Sequence, residues 1–509
     1  MKPKTITQII FLFSLLLSIF STFYFFEKNY IILYGDAESH LNIAKRVLSS
    51  PTAGLSQLGG IWLPLPHLLM APFVHFDFLW RSGLAGSIVS GISFVVSSVL
   101  LYKLTFMITR GKFSSIFPPL IFCLNPNIIY MQSTPMTELL LIAFFIMSIY
   151  YFVKFLKNQD HYNSLVFAAF FGFCATLTRY DGWLLVLTEA LILAIFYLIK
   201  TQNRKAWEGR FILFSTLAFL GIAIWIVWDF LILGNPLYFL NSPFSAKVQQ
   251  QTLLTRHELP TYKNIVLSVA YYLTTSVDNI GLLISLISVV GLLTFLLRHK
   301  KGIDVLLPIL LFVPFVFYVV TLYLGQSVIY EPHLTPKSFG LSLFNIRYGI
   351  VMVPFAAFFF GYLFYKSKNL IKILLLLILV LQTYFFVRDS SNILTLQDGK
   401  EGISSVRQTG AQVWIAKNYD RGFVLLDDYA RAISIVRTKI PMQNVIYIGN
   451  KPYWQESLKT PEKYATWVVM QRGDTLWNSI LEIPQVKARL YKYFKEVYSS
   501  PNILIFKRL

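Results

Sequence analysis

The chain has 509 residues, of which 55% are hydrophobic and only 14% are charged. Soluble domains carry about 25% charged residues, so this composition excludes an ordinary soluble protein and indicates an integral membrane protein. The net charge of +20 comes from short basic clusters between apolar runs, as the positive-inside rule predicts, and not from a nucleic-acid-binding surface. Cys123 and Cys174 both fall in apolar segments, which excludes a disulfide framework and a cysteine-based metal site.

Apolar stretches that are long enough to cross a bilayer follow one another as far as residue 387. A helical span needs about 20 such residues. No small-residue cleavage site follows the first stretch, so we interpret it as a retained span and not as a signal peptide. The sequence predicts about eleven spans, at residues 7–26, 80–102, 113–130, 138–156, 162–178, 183–200, 211–233, 279–297, 303–324, 345–365 and 369–387.

The loops between the spans alternate in composition, which predicts their orientation. One set is short and basic, and we expect it on the cytoplasmic side. It includes Lys2, Lys4, Lys154, Lys157, Lys366, Lys368 and Lys372. The other set is mostly longer and carries the unusual polar residues. All candidate chemistry is therefore expected on the non-cytoplasmic face.

The composition changes to that of a soluble domain from about Arg388. We predict a transmembrane domain over 1–388, whose first outer loop (27–79) carries surface helices, and an extracytoplasmic α/β domain over 389–509. The second domain contains no phosphate loop, nucleophile elbow or zinc-ligand spacing. Its predicted strands are Phe423–Leu426, Asn444–Ile448, Ala465–Met470, Tyr493–Tyr498 and Ile503–Lys507.

The first outer loop contains the pair Asp36 and Glu38, followed by His40. Carboxylates beside a membrane span are costly unless they face water or take part in chemistry. Two compatible interpretations stay open. The pair caps the helix that it begins, or Asp36 deprotonates an acceptor hydroxyl while the pair is able to hold a divalent cation. For His40 and His67, a structural hydrogen-bonded histidine is favoured.

Two further acidic positions lie at predicted outer ends of spans. Glu138 opens the fourth span, and Asp181 lies with Arg179 in the turn between the fifth and sixth spans. Each has an ordinary structural explanation, a helix cap for Glu138 and a turn-closing ion pair for Arg179 and Asp181. Acidic residues on consecutive outer loops nevertheless favour a shared site.

Basic residues on the same predicted face are candidates for binding a phosphate. Arg347 stands at the outer entry of the tenth span, where its side chain is expected either to snorkel to headgroups or to grip a phosphate through two nitrogens. Lys247, His333 and Lys337 lie in two long outer loops. Most such loop cations are solvated, but a lipid-phosphate substrate requires at least one cation.

These motifs, taken in order, resemble the GT-C glycosyltransferases of the protein O-mannosyltransferase and aminoarabinose-transferase type. The resemblance covers residues 1–390 and, in outline, the C-terminal domain. It implies a polyprenyl-phosphate sugar donor, with Asp36 as the catalytic carboxylate and Glu138 as the second acidic position. The residues that carry it are Asp36 with Glu38, Trp62-Leu63-Pro64-Leu65-Pro66-His67, Met136-Thr137-Glu138, and Arg347-Tyr348 followed by Pro354.

We therefore predict a polytopic α-helical membrane protein of GT-C type that transfers a sugar, with inversion, to an acceptor hydroxyl on a glycan, lipid or protein. Its expected location is a bacterial or archaeal cytoplasmic membrane, with the active site and the C-terminal domain on the outer face. The predicted catalytic residues are Asp36, Glu38 and Glu138, and the predicted donor-binding residues are Arg347, Tyr348, Lys247, Lys337, His333, Arg179, Asp181 and His67.

Two alternatives stay open. One is a metal-dependent transferase similar to oligosaccharyltransferases, in which Asp36, Glu38 and Glu138 surround Mg²⁺ or Mn²⁺. The other is a transporter or flippase for a lipid-linked sugar. A transporter predicts ionisable residues at mid-bilayer, and apart from Glu189 and Asp229 the apolar segments are nearly free of them.

Overall fold

The computed structural model describes residues 2–199, 203–243, 245–299, 302–401, 409–429 and 432–509. The chain divides into two compact units. The first unit contains the described residues of 1–34, 60–66 and 86–405, and the second contains those of 35–59, 67–85 and 406–509. Most of the first outer loop therefore belongs to the same unit as the end of the chain.

Helices make up most of the structure. In chain order they are α1 (Pro3–Glu27), α2 (Gly35–Leu48), α3 (Leu65–Val74), α4 (Asp77–Ser82), α5 (Leu84–Thr109), α6 (Phe117–Leu124), α7 (Pro126–Gln132), α8 (Glu138–Lys157), α9 (Tyr162–Thr176), α10 (Asp181–Ile199), α11 (Arg204–Ala218), α12 (Leu220–Leu233), α13 (Tyr238–Asn241), α14 (Ala246–Thr255), α15 (Ile265–Ile280), α16 (Leu282–Arg298), α17 (Leu306–Tyr323), α18 (Val353–Lys366), α19 (Asn369–Arg388), α20 (Leu394–Glu401), α21 (Gly410–Asn418), α22 (Tyr453–Lys459), α23 (Pro461–Tyr464) and α24 (Pro484–Tyr493).

Eight helical segments of the described residues are long and apolar enough to cross a membrane, or nine if the bent pair α15–α16 counts as one span. The predicted spans 113–130 and 162–178 correspond to apolar helices of fewer than 18 residues, at Ser114–Leu124 and Tyr162–Thr176. The polytopic helical membrane fold is confirmed. The eight segments are Pro3–Glu27, Leu84–Thr109, Glu138–Lys157, Asp181–Ile199, Arg204–Leu233, Ile303–Tyr323, Ile346–Lys366 and Asn369–Arg388.

The bend between α15 and α16 measures 108° and occurs at Gly281. The φ angle of Gly281 is +94°, a value that residues with a Cβ rarely adopt. A Cβ atom at this position would lie 2.4 Å from the side-chain amide carbon of Gln382, whose oxygen accepts a hydrogen bond from the Leu283 N–H at 3.0 Å. The backbone conformation therefore favours a glycine here, and any Cβ atom would also force the Gln382 amide of α19 to shift.

The C-terminal region forms a five-stranded sheet in the order β2–β1–β3–β5–β4. The strand β1 pairs in parallel with β2 and β3, and β5 pairs antiparallel with β3 and β4. Buried side chains such as Leu425, Val468 and Phe506 form its core. All five predicted strands are confirmed. Their bounds are β1 (Val424–Leu426), β2 (Val445–Ile446), β3 (Trp467–Gln471), β4 (Phe494–Ser499) and β5 (Ile503–Arg508).

Side chains of α2 and α4 connect the first outer loop to the C-terminal region within the second unit. Arg46 of α2 is 4% exposed, lies 2.7 Å from the Asp428 carboxylate and stacks 3.7 Å above the ring of Tyr447. Arg81 of α4 donates hydrogen bonds to the carbonyls of Ile435, Thr438 and Ile440. The helix that begins with the Asp36 motif is thus anchored at its other end to the C-terminal region.

Candidate active site

A buried cluster of charged and aromatic side chains in the first unit is centred on Glu138, the first residue of α8. A carboxylate is favoured in the first turn of a helix, where the backbone N–H groups have no helical acceptors. The Oε1 atom of Glu138 accepts a hydrogen bond from Arg179 at 3.1 Å and another from Arg347 at 3.2 Å. The side chain of Glu138 is fully buried, and its Oε2 atom has no hydrogen-bond partner among the described residues.

Arg347 is positioned by a short 3₁₀ segment, Ile346–Met352, which follows Asn345. The side-chain amide of Asn345 donates to the Val328 carbonyl at 2.9 Å. The segment lies close against α15, because a Cβ atom at Gly349 would stand 2.4 Å from the carbonyl oxygen of Thr275. Only 2% of Arg347 is exposed, so its guanidinium is directed by packing on all sides.

Arg179 lies in the turn between α9 and α10 and connects Glu138 to a second acidic residue. Its Nη2 donates to the Tyr318 hydroxyl at 2.9 Å, and that hydroxyl donates to Oδ2 of Asp181 at 3.0 Å. The Nε atom of Arg179 is 3.5 Å from the same carboxylate oxygen. The predicted pair of Arg179 and Asp181 is therefore present in the structure, and it is part of a larger network.

Aromatic rings enclose the two guanidinium groups. The ring of Tyr348 lies 5.2 Å from the guanidinium carbon of Arg179 and 5.0 Å from that of Arg347. Tyr318 stacks on Tyr348 at 5.0 Å and on Tyr272 at 4.8 Å. Cation–π attraction of this kind is strongest where water is excluded. Tyr348 thus separates two like charges while attracting both of them.

The opposite side of Arg347 faces Asp398 and Tyr34. Asp398 of α20 is fully buried, and its Oδ2 lies 3.9 Å from Nη1 of Arg347. Tyr34 donates a hydrogen bond to this carboxylate oxygen at 3.2 Å, and its ring lies 4.9 Å from the guanidinium carbon. Burial and the neighbouring charge of Asp398 raise the pKa of the Tyr34 hydroxyl well above its ordinary value.

The cluster contains three carboxylates and two guanidinium groups, all of them largely removed from water. Charges are stable in such a place only when they are paired and hydrogen-bonded. Arg179 is the most solvent-exposed of the charged residues in the cluster. Of its side chain, 17% is exposed to solvent, compared with 2% for Arg347. The carboxylates hold both guanidinium groups in place, and Arg179, the more exposed of the two, is the candidate for contact with an anion such as a phosphate.

A small apolar cavity of about 10 Å³ lies between α8, α17 and the segment around α18. Leu141 lines the cavity and lies one helical turn after Glu138, and Val351 also lines it and lies four residues after Arg347. One end of the cavity is therefore close in the chain to the charged cluster, both on α8 and on the 3₁₀ segment that carries Arg347. The lining residues are Leu141, Ile142, Phe145, Ile146, Leu311, Pro314, Val351, Pro354 and Phe355.

The predicted acidic pair lies in the second unit, in the first turn of α2. Asp36 is half-buried and Glu38 is 8% exposed. Further along α2, Nδ1 of His40 lies 2.9 Å from Nε2 of His67, which is fully buried. Burial, with His40 beside it, lowers the pKa of His67 well below its ordinary value. His67 is therefore a neutral, hydrogen-bonded side chain in this structure.

The remaining predicted donor-binding residues lie apart from the Glu138 cluster in the part of the chain that the structure describes. Lys247 is exposed on α14, and Lys337 is exposed in the 3₁₀ turn Lys337–Phe339. His333 is exposed as well and lies near two carboxylates, Asp278 and Glu331. These side chains are bound to no residue of the cluster.

Sequence reasoning missed four members of the cluster, namely Tyr34, Tyr272, Tyr318 and Asp398. The tyrosines lie in or beside apolar stretches, where an aromatic residue is common and carries no distinct signal. Asp398 falls in a polar segment that resembled the start of a soluble domain. Only the pairing of α20 with the 3₁₀ segment of Arg347 shows its role.

Comparison with solved structures finds the same fold. The chain is similar to ArnT from Cupriavidus metallidurans bound to undecaprenyl phosphate, with a TM-score of 0.55, 11% identity and coverage of 100% of this chain and 97% of that chain. The apo state of the same ArnT gives a TM-score of 0.52, 12% identity and coverage of 100% and 99%.

A third similar structure is the oligosaccharyltransferase AglB from Archaeoglobus fulgidus in complex with an inhibitory peptide and a dolichol-phosphate. Its TM-score is 0.51 at 12% identity, with coverage of 98% of this chain and 73% of that chain. No protein-family model and no curated protein matches the sequence. ArnT and AglB both belong to the GT-C superfamily, and the protein has the GT-C fold that its sequence predicts.

Proposed function

We propose that this protein is a membrane glycosyltransferase that moves a sugar from a polyprenyl-phosphate donor to an acceptor hydroxyl. The observation that carries the proposal is the pair of guanidinium groups of Arg179 and Arg347 on Glu138, with a group of apolar side chains beginning one helical turn further along α8. A charged headgroup site beside an apolar surface suits a lipid phosphate. The fold similarity to ArnT bound to undecaprenyl phosphate supports the same donor class.

In this proposal the donor phosphate binds to Arg179 and Arg347, and the first isoprene units pack against the apolar side chains around Leu141 and Val351. Glu138 positions both guanidinium groups, because it accepts a hydrogen bond from each. Preorganised donors of this kind stabilise charge that develops on a leaving group. The phosphate gains negative charge as the bond between it and the anomeric carbon breaks.

Asp36 is proposed as the general base. It removes the proton of the acceptor hydroxyl while the hydroxyl oxygen forms a bond to the anomeric carbon, and the polyprenyl phosphate leaves from the opposite side with inversion. Glu38 lies two residues further in the same helical turn and is proposed to support this carboxylate. The basic loops predict that transfer takes place on the non-cytoplasmic face.

We propose that the C-terminal domain over 389–509 recognises the acceptor or covers the site. Arg46 of α2 is held by Asp428 and Tyr447 of this region, so the helix that begins with Asp36 is rigidly anchored within the second unit. Rigid support of this kind preserves catalytic geometry.

The metal-dependent alternative requires Mg²⁺ or Mn²⁺ among Asp36, Glu38 and Glu138. The Oε1 atom of Glu138 already accepts hydrogen bonds from two guanidinium groups, so a metal ion at Glu138 would have to bind its Oε2 atom.

The proposal is tested with purified full-length protein in lipid nanodiscs and a panel of radiolabelled undecaprenyl- and dolichyl-phosphate sugars, with release of polyprenyl phosphate as the readout. We expect Asp36→Asn to lower the rate at least about 10³-fold and to leave donor binding unchanged, and Arg347→Gln to weaken donor binding. Asp160→Asn, an exposed loop carboxylate, is the matched control. Full activity of Asp36→Asn would refute the role of Asp36, and equal donor binding by Arg347→Gln would refute the phosphate site.

A further inference from the structure

Three side chains with metal-ligating atoms, none of which belongs to the Glu138 cluster, converge in the first unit. Asp278 lies near the end of α15, and Glu331 and His333 lie in the loop that follows α17. One ligand atom from each lies within 4.8 Å of the other two. Nε2 of His333 is 4.0 Å from Oδ2 of Asp278 and 4.0 Å from Oε1 of Glu331.

The carboxylate oxygens at this place lack the partners that their burial requires. Glu331 is fully buried, and only its Oε2 is engaged, by the His333 N–H at 2.9 Å. Oε1 of Glu331 and Oδ2 of Asp278 are buried and have no hydrogen-bond partner among the described residues. Leaving such buried acceptors unsatisfied is costly, and more so when they are charged. A positive group between the two oxygens removes this cost.

The backbone that carries the two loop ligands is fixed by its own contacts. The Glu331 N–H donates to the Thr335 hydroxyl at 2.8 Å, and Tyr271 of α15 donates to the Leu334 carbonyl at 3.1 Å. Tyr271 lies seven residues before Asp278, hence on the same face of α15. The loop is thus already aligned along the helix that supplies the third ligand.

The distances fit a metal ion after a small adjustment. Zinc binds oxygen and nitrogen ligands at about 2.0 to 2.2 Å, which separates the ligand atoms of a tetrahedral site by roughly 3.4 Å. The 4.0 Å separations from His333 must therefore shorten by roughly 0.6 Å. The His333 side chain is 73% exposed and free to make this rotation. The exposed side leaves room for water to complete the coordination of an ion.

We propose that Asp278, Glu331 and His333 bind a divalent transition-metal ion of the Zn²⁺ or Mn²⁺ class. One imidazole nitrogen with two carboxylate oxygens suits these ions better than Ca²⁺ or Mg²⁺, which prefer oxygen ligands alone. The ion ties the loop over residues 326–345 to α15. The loop ends two residues before Arg347, so the metal orders the chain that leads into the charged cluster.

The site is tested on full-length protein purified in detergent, stripped with a chelator and then titrated separately with Zn²⁺ and with Co²⁺. Bound metal is measured by mass spectrometry of the elements, and the visible absorption of Co²⁺ reports its ligands. We expect about one ion per chain and metal-dependent protection of the 326–345 loop from proteolysis. Loss of an outer partner of a metal ligand already weakens binding about 10- to 100-fold, so losing a ligand should cost at least about 100-fold.

Glu331→Gln, Asp278→Asn and His333→Ala are the test variants. Because the His333 side chain is exposed, its replacement leaves the packed interior intact. His257→Asn is the matched histidine control, since His257 is also exposed and its φ of +59° is tolerated by asparagine. Asp36→Asn controls for an ion bound at the first outer loop.

Retention of metal by the two control variants together with its loss from the three test variants supports the proposal. Three results overturn it. The first is a wild-type protein that binds no ion, which means that Asp278 and Glu331 share a proton instead. The second is wild-type affinity in the test variants. The third is loss of the ion from Asp36→Asn. None of these readouts depends on sugar transfer.

Discussion

The substitution Glu138→Gln measures how far the buried cluster depends on one negative charge. Glutamine has nearly the same shape and keeps one oxygen that accepts hydrogen bonds. The substitution therefore removes the charge and leaves the packing around Arg179 and Arg347 intact. This makes it a test of electrostatics and not of cavity formation.

The expected loss follows from the two hydrogen bonds at Oε1 of Glu138, 3.1 Å from Arg179 and 3.2 Å from Arg347. Breaking a buried ion pair by removing one partner costs about 3 to 5 kcal/mol. The glutamine oxygen still accepts hydrogen bonds from the charged guanidinium groups, so we expect a smaller loss of about 2 to 3 kcal/mol. Asp181 and Asp398 remain near the two guanidinium groups and prevent a larger loss.

The assay is reversible unfolding in mixed micelles, with the free energy of unfolding extrapolated to zero denaturant. Asp160→Asn is the control, because an exposed carboxylate of the loop between α8 and α9 should change the free energy by less than about 0.5 kcal/mol. A double-mutant cycle of Glu138→Gln with Arg347→Gln then isolates the pair. A loss below about 0.5 kcal/mol for Glu138→Gln, or a coupling energy of zero, would show that the two charges do not stabilise each other.

Two further predictions concern the backbone and the pH dependence. Gly281→Ala should destabilise the protein by more than Gly234→Ala, because both glycines have a positive φ but only at Gly281 does the new Cβ meet a side chain, that of Gln382 at 2.4 Å. We expect a difference of about 1 to 3 kcal/mol in the free energy of unfolding, and equal losses for the two variants would contradict the packing argument. Burial lowers the pKa of His67 below 6.5, so the folded state holds it neutral while the unfolded chain protonates it. Stability is therefore fully present above about pH 6.5 and falls as the pH drops below that value. The unfolding temperature measured between pH 7 and pH 5 should fall less in His67→Gln than in the wild type, and parallel curves would refute this assignment.

Several features of this protein follow from its sequence alone. Apolar runs near 20 residues predict membrane spans, because the bilayer core sets the length of a helix that crosses it. Alternating apolar residues and turn residues predict the five strands of the C-terminal region, which the structure confirms. The order of short motifs, from Asp36 to Arg347, predicts the GT-C fold. These are local signals, readable without knowing which helix touches which.

The composition of the charged cluster was decided by tertiary structure. Glu138 and Arg347 are 209 residues apart in the chain, and their pairing depends on how α8 packs against the 3₁₀ segment before α18. The position of Asp398 beside Tyr34 depends in the same way on the packing of α20, and no local sequence pattern predicts this contact. Hydrophobic periodicity shows which face of a helix is buried, but not which buried polar groups meet there. The tertiary structure determines which buried polar groups pair with one another. An unpaired charge in the interior raises the free energy of the folded state by more than local conformational preferences can offset.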